Sequence, residues 1–208
     1  MEELSDEDRA ALKKKIEHEQ EVRRLRIGGK NTKNVGWLQI CVELDAEYID
    51  GGRFGTDQVR ARIGEWTIAL DTFTRRSSEY NREIYTRMRA PYLSNDGFTF
   101  AVHREGILDS VGKLIGMQDI EVGYAELDDQ FIIKGNDEAK VRDLFSNPKI
   151  REPILHEPSI QFRVTKASRR GAELYLQISG SVQNVRRLRS LFELFTETLN
   201  KLRSMGSV

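Results

Sequence analysis

The sequence predicts an α+β fold, an antiparallel β-meander sheet with helices packed on one face and a long amphipathic helix at the C-terminus. Three observations lead there. Apolar and polar residues alternate with period two through Val59–Arg104. A three-or-four-step apolar stripe then runs through Val182, Val185, Leu188, Leu191, Phe192, Phe195, Leu199 and Leu202. Between earlier helical spacing and the first alternation, Asp50-Gly51-Gly52 marks a turn where the period changes.

The first segment, Ser5 to Arg26, reads as a helix: Ser5 and Asp8 have capping-box spacing, and neither Gly nor Pro interrupts it. Its apolar side, Leu12, Ile16, Val22 and Leu25, is too thin for a deep core. Gly28 and Gly29 end it, which divides the chain into a charged helix and loop at 1–33 and a single α+β domain at 34–208. Trp37, Ile40, Cys41, Leu44 and Tyr48 predict a second helix from Val35 to Glu47.

Four strands of a meander follow, through Val59–Ile63, Trp66–Leu70, Ile84–Ala90 and Phe98–Val102, with turns at Ser77–Asn81 and Ser94–Gly97. The stretch from Ile107 to Ile115 is a weak helix or loop because Gly106, Gly112 and Gly116 punctuate it. Ile120 with Val122 and Phe131–Ile133 read as short strands. Asp137 or Asn136 caps a helix to Phe145, and Pro148 opens another that ends before Pro158. Two further strands, Ile160–Val164 and Leu174–Ile178, flank a basic hairpin from Lys166 to Gly171. At ~25 cal/mol per Å² of apolar area, covering the last helix's stripe contributes on the order of several kcal/mol. That helix therefore lies across the sheet.

Composition narrows the function classes. Lys plus Arg equal Asp plus Glu at 33 each, so no overall field draws the chain to nucleic acid, which is disfavoured as a partner. One cysteine, Cys41, allows neither an internal disulfide nor a multi-cysteine zinc site, and its apolar neighbours make it a buried structural thiol. No run approaches the ~20 apolar residues of a transmembrane segment, and the acidic start lacks a secretory pattern, so a cytoplasmic protein is expected.

Three runs stand out as a set: Tyr85–Tyr92 (YTRMRAPY), Gly116–Gly123 (GMQDIEVG) and Phe131–Glu138 (FIIKGNDE). In this order they resemble a group of uncharacterised bacterial proteins, over roughly Val59 to Leu202. The resemblance implies a bacterial source and a shared fold, and brings no reaction, cofactor or partner.

Candidate chemistry is sparse. The segment 119–129 holds five carboxylates and no cation, and Asp119 and Glu121 would face the same way on an extended chain, a possible oxygen-ligand metal site that lacks the EF-hand spacing. His103, with Arg87 and Arg89 on an adjacent meander strand, would form a polar face able to bind a phosphate or carboxylate. Arg186, Arg187 and Arg189, beside Lys166, Arg169 and Arg170, form a cationic patch at the unfavourable end of a helix dipole. Phosphate-loop, dinucleotide and serine-elbow motifs are absent.

The leading expectation is a non-enzymatic ligand- or protein-binding module. The alternative is a divalent-metal-assisted hydrolase using segment 119–129. A protein partner or a homo-oligomer is open, and no cofactor is specified.

Overall fold

A computed structural model describes residues 34–53, 55–76, 82–104, 117–166, 168 and 171–208. The expected N-terminal helix, the Ile107–Ile115 segment, the Ser77–Asn81 turn and Arg169–Arg170 lie outside the described residues. The elements are α1 (Val35–Leu44), β1 (Glu47–Ile49), β2 (Gln58–Ile63), β3 (Trp66–Arg76), β4 (Arg82–Leu93), β5 (Phe100–Arg104), β6 (Gln118–Asp119), α2 (Ala125–Asp128), β7 (Phe131–Gly135), α3 (Glu138–Phe145), α4 (Pro148–Leu155), β8 (Gln161–Lys166), β9 (Gly171–Ser179) and α5 (Val185–Ser204). The α+β expectation holds: nine strands form one antiparallel sheet in the order β1-β2-β3-β4-β9-β8-β5-β7-β6.

That order corrects the four-strand meander. β2, β3 and β4 are consecutive hairpins, but β5 leaves β4 and pairs with β7 and β8. The place beside β4 is taken by β9, which pairs along it from Thr86↔Ile178 to Leu93↔Gly171. Alternation fixes which face a side chain takes and says nothing about which strand lies next door.

The second helix is shorter than its spacing predicts. Asp45 adopts a left-handed conformation, φ 52°, that ends α1, and the chain turns into β1 against β2. Later boundaries agree better. Asp137 accepts a bond from the Lys140 N–H at the start of α3, Asn147 accepts from Lys149 ahead of Pro148 in α4, and Asn184 accepts from Arg187 at the start of α5. In the Ile120–Val122 region the strand is displaced: β6 is Gln118–Asp119, and the Ile120 N–H still donates to the Ile133 carbonyl.

Leu70, Met88, Leu176 and Phe162 lie on one face of the sheet, in a continuous core shared with the helices. α5 lies across this face. Phe195 meets Phe162 at 5.9 Å between ring centroids, and Trp66 Nε1 donates to Asn200 Oδ1 at 2.8 Å. α5 also packs against α1 and α4. At the first of these contacts α1 approaches so closely that a Cβ on Gly36 would come within 1.8 Å of the Gln183 carbonyl oxygen, which only glycine permits.

Thr86 joins the sheet to the α5 approach. It is fully buried; its Oγ1 donates to the Gly180 carbonyl at 2.8 Å and accepts from the Val182 N–H at 2.8 Å. One hydroxyl thus satisfies two backbone groups of the segment that turns β9 into α5. Thr86→Val keeps the shape and strands both groups, at roughly 1–3 kcal/mol for a buried unsatisfied group. Urea unfolding should show Thr86→Val destabilised by about 2 kcal/mol or more, and Thr86→Ser by much less.

Candidate functional site

The opposite face of the sheet is polar, and its centre is organised in two rows set by strand register. One row runs Asp71, Arg87, Gln177, Gln161, His103 across β3, β4, β9, β8 and β5. The next runs Arg89, Tyr175, Arg163, Ala101, Lys134, Asp119 across β4, β9, β8, β5, β7 and β6. Each residue stands directly beside the next, one strand spacing away.

Asp71 anchors the first row. Arg87 forks onto it, Nε to Oδ1 at 2.8 Å and Nη2 to Oδ2 at 2.9 Å, and Arg89 Nη2 adds a third bond to Oδ2 at 2.8 Å. Hydrogen bonding to Asp71 raises the Arg87 pKa against the opposing effect of burial. The Arg87 guanidinium also lies 5.0 Å from the Phe73 ring centroid, and Phe73 stacks on Tyr85 at 5.4 Å. A carboxylate shared by two arginines leaves the cluster with excess positive charge.

In the second row Arg163 lies over the Tyr175 ring, 4.4 Å from guanidinium carbon to centroid. Its Nη1 is 3.5 Å from Gln161 Oε1, at the limit of a hydrogen bond, while the Tyr175 hydroxyl donates to Gln177 Oε1 at 2.9 Å. Among the described residues no carboxylate pairs with Arg163, and burial lowers its pKa, with Tyr175 and Glu173 pulling the other way. Burial raises the Tyr175 pKa, and Arg163 and Arg87 oppose that rise.

The sequence-predicted residues fall as follows. Arg87 and Arg89 do share a polar face with His103, but not on neighbouring strands: β9 and β8 stand between β4 and β5. His103 is 4% exposed, not on a wet face, and its Nδ1 lies 3.2 Å from the Arg104 carbonyl oxygen. Asp119 pairs across strands with Lys134, Nζ to Oδ1 at 2.7 Å, and its side chain is 73% exposed. Asp119, Glu121 and Asp128 line a cleft of about 440 Å³. Asp128, however, spends both oxygens on backbone N–H groups of Val122, Gly123 and Tyr124. Among the described residues no three His, Cys, Asp or Glu side chains gather as a metal site.

The cationic patch on α5 is largely neutralised. Arg187 forks onto the buried Glu157 at 2.7 and 2.6 Å, and Arg189 bonds Glu43 at 3.0 and 2.6 Å. Arg186 is exposed. Cys41 is buried, and desolvation pushes its thiol up to about 12.

Sequence reasoning missed Asp71, Arg163 and Tyr175. Each was visible only as an alternating polar position, and the grouping required the β4–β9–β8 order.

No protein-family model matches the chain, and no curated protein matches it. Among solved structures it is similar to the mycobacterial trehalose monomycolate transport factor A, TtfA, with a TM-score of 0.50 and 7% identity, covering 82% of this chain and 96% of that one. At that identity the likeness is one of fold.

Two outcomes follow from this geometry. Asp71→Asn leaves two guanidinium groups without their shared anion and should destabilise the protein by roughly 2–3 kcal/mol. This is less than for a fully buried pair, because the arginine side chains keep 26% and 32% of their exposure. Denaturant titration reads it. The Cys41 thiol should resist a colorimetric thiol reagent in the native protein at neutral pH and react fully once unfolded.

Proposed function

We propose that this protein is a binding module without a reaction of its own, whose ligand sits on the polar face over β4, β9 and β8. The observation that carries the reading is the group Arg87, Arg89, Tyr175 and Arg163, part-exposed at adjacent register positions beside the buried amides of Gln161 and Gln177. Donors held in this way on a rigid sheet fix a ligand's orientation without chemistry.

The charged groups support binding more than catalysis. Asp71 is fully engaged with two arginines, and one oxygen of Asp119 is paired with Lys134. Neither carboxylate stands free as a general base. The fold likeness to a protein titled a transport factor is in keeping with a module that holds a molecule and passes it on. Among the described residues no helix is long and apolar enough to cross a membrane.

The test is a titration of the ¹⁵N-labelled full chain with a panel of soluble sugars, sugar phosphates, fatty acids and trehalose. Saturable shifts should concentrate on Gln161, Arg163, Tyr175 and Gln177, and mass spectrometry should recover the ligand unaltered. Shifts confined to the far side of the molecule, or conversion of the ligand, would count against this reading.

A further inference from the structure

We propose that Arg163, lying over Tyr175 with Arg89 at the register position on the next strand, is the subsite for the oxyanion of a small phosphate ester. The inference rests on the binding reading above and gives that ligand its chemical class.

Charge is the first argument. Among the described residues on this stretch of the face, Arg87, Arg89 and Arg163 meet Asp71 and, diagonally, Glu173, three cations to two carboxylates. Asp71 is committed to Arg87 and Arg89. Glu173 sits opposite Pro91 and Thr165 and acts on Arg163 only through the field. Of the three arginines, Arg163 is the one that no carboxylate touches among the described residues.

Geometry is the second. Among the described residues Arg163 makes one marginal bond, to Gln161, and none of them accepts from its Nε and Nη2 donors. A planar guanidinium presents these two as a fork matched to two oxygens of one oxyanion. Tyr175 supports the guanidinium by a cation–π contact at 4.4 Å, and its own hydroxyl is held by Gln177. The subsite is thus supported before any ligand arrives. Arg89 stands at the register position beside Tyr175 on β4, its Nη2 on Asp71 and its Nε buried without a partner.

Size is the third. Arg163 is only partly exposed and is set between strands. A part-buried guanidinium on an interior strand suits the phosphate of a small soluble ester better than the plane of a lipid surface.

Isothermal titration of the full chain with inorganic phosphate and with glycerol 3-phosphate tests it, the ester being expected to bind more tightly. Arg163→Gln should weaken both by roughly tenfold or more. Arg163→Lys, which keeps the charge and loses the fork, should fall between. Arg186→Gln, an exposed cation elsewhere, should bind like the wild type. Thermal melts of each variant confirm that it folds. Equal phosphate affinity in wild type and Arg163→Gln overturns the inference. So does binding to phosphatidylglycerol vesicles with none to either soluble phosphate. Should a neutral member of the panel bind the face with an affinity indifferent to Arg163→Gln, this inference falls and the binding module stands. Should nothing bind the face, both fall.

Discussion

Everything on either face of this sheet depends on the pairing of β4 with β9. The two strands lie far apart in sequence, yet their ladder joins the N-terminal run β1-β2-β3-β4 to the run β9-β8-β5-β7-β6. Remove it and two smaller sheets remain, each with an unpaired edge and half of a core. Closing so long a loop costs chain entropy before any contact is gained, so the junction needs strong local reward. It has that reward on the apolar face, where Met88, Ala90, Leu174 and Leu176 are at most 1% exposed. At its end Thr86 binds the turn into α5, so one ladder also sets where the long helix begins.

The same ladder builds the polar face. Arg87 reaches Asp71 through the β3–β4 hairpin, a local contact, but Tyr175 and Gln177 come beside Arg89 and Arg87 only through β9. Arg163 and Gln161 follow one strand further on. A substitution that loosened β4 from β9 would therefore separate the Asp71 cluster from Arg163 while leaving the hairpin whole. Stability and the proposed recognition share one structural element, and that element is the interior of the sheet, where register is strictly specified by the buried face.

How much of this was legible in the sequence follows from what alternation encodes. Period and punctuation report local structure, so α3, α4, α5 and the strands β2 and β4 were found close to their observed ends, β3 was found at its start but runs six residues past Leu70 to Arg76, and Asp137 and Pro148 announced their helices. Strand β1 was hidden because Tyr48 continues the helical spacing of α1, and only the left-handed Asp45 breaks it. Strand order was hidden for a deeper reason. Phe100 and Val102 would fit a core beside β4 as well as they fit one beside β8, since both neighbours offer apolar side chains on that face. His103 was consequently expected on the strand next to Arg87 and Arg89 and is instead buried in β5, with β9 and β8 between; the first four residues of β5 are all buried. The arginine pair was found because Arg87 and Arg89 lie on one strand; Asp71, Arg163 and Tyr175 were not, because their association is purely tertiary.

The two cationic groups on this molecule illustrate why composition cannot assign a site. Arg186, Arg187 and Arg189 are close in sequence and stood out as a cationic patch, yet Glu157 and Glu43 meet two of them and turn the cluster into a set of ties between α5, the α4–β8 connection and α1. Those carboxylates also answer the unfavourable placement of cations at a helix N-terminus, since each lies within 3 Å of the guanidinium it neutralises. Arg163 is solitary in sequence and has no such partner among the described residues. Sequence density of charge therefore pointed at structure, and the isolated arginine lying over Tyr175 is the group on which the proposed ligand subsite is built.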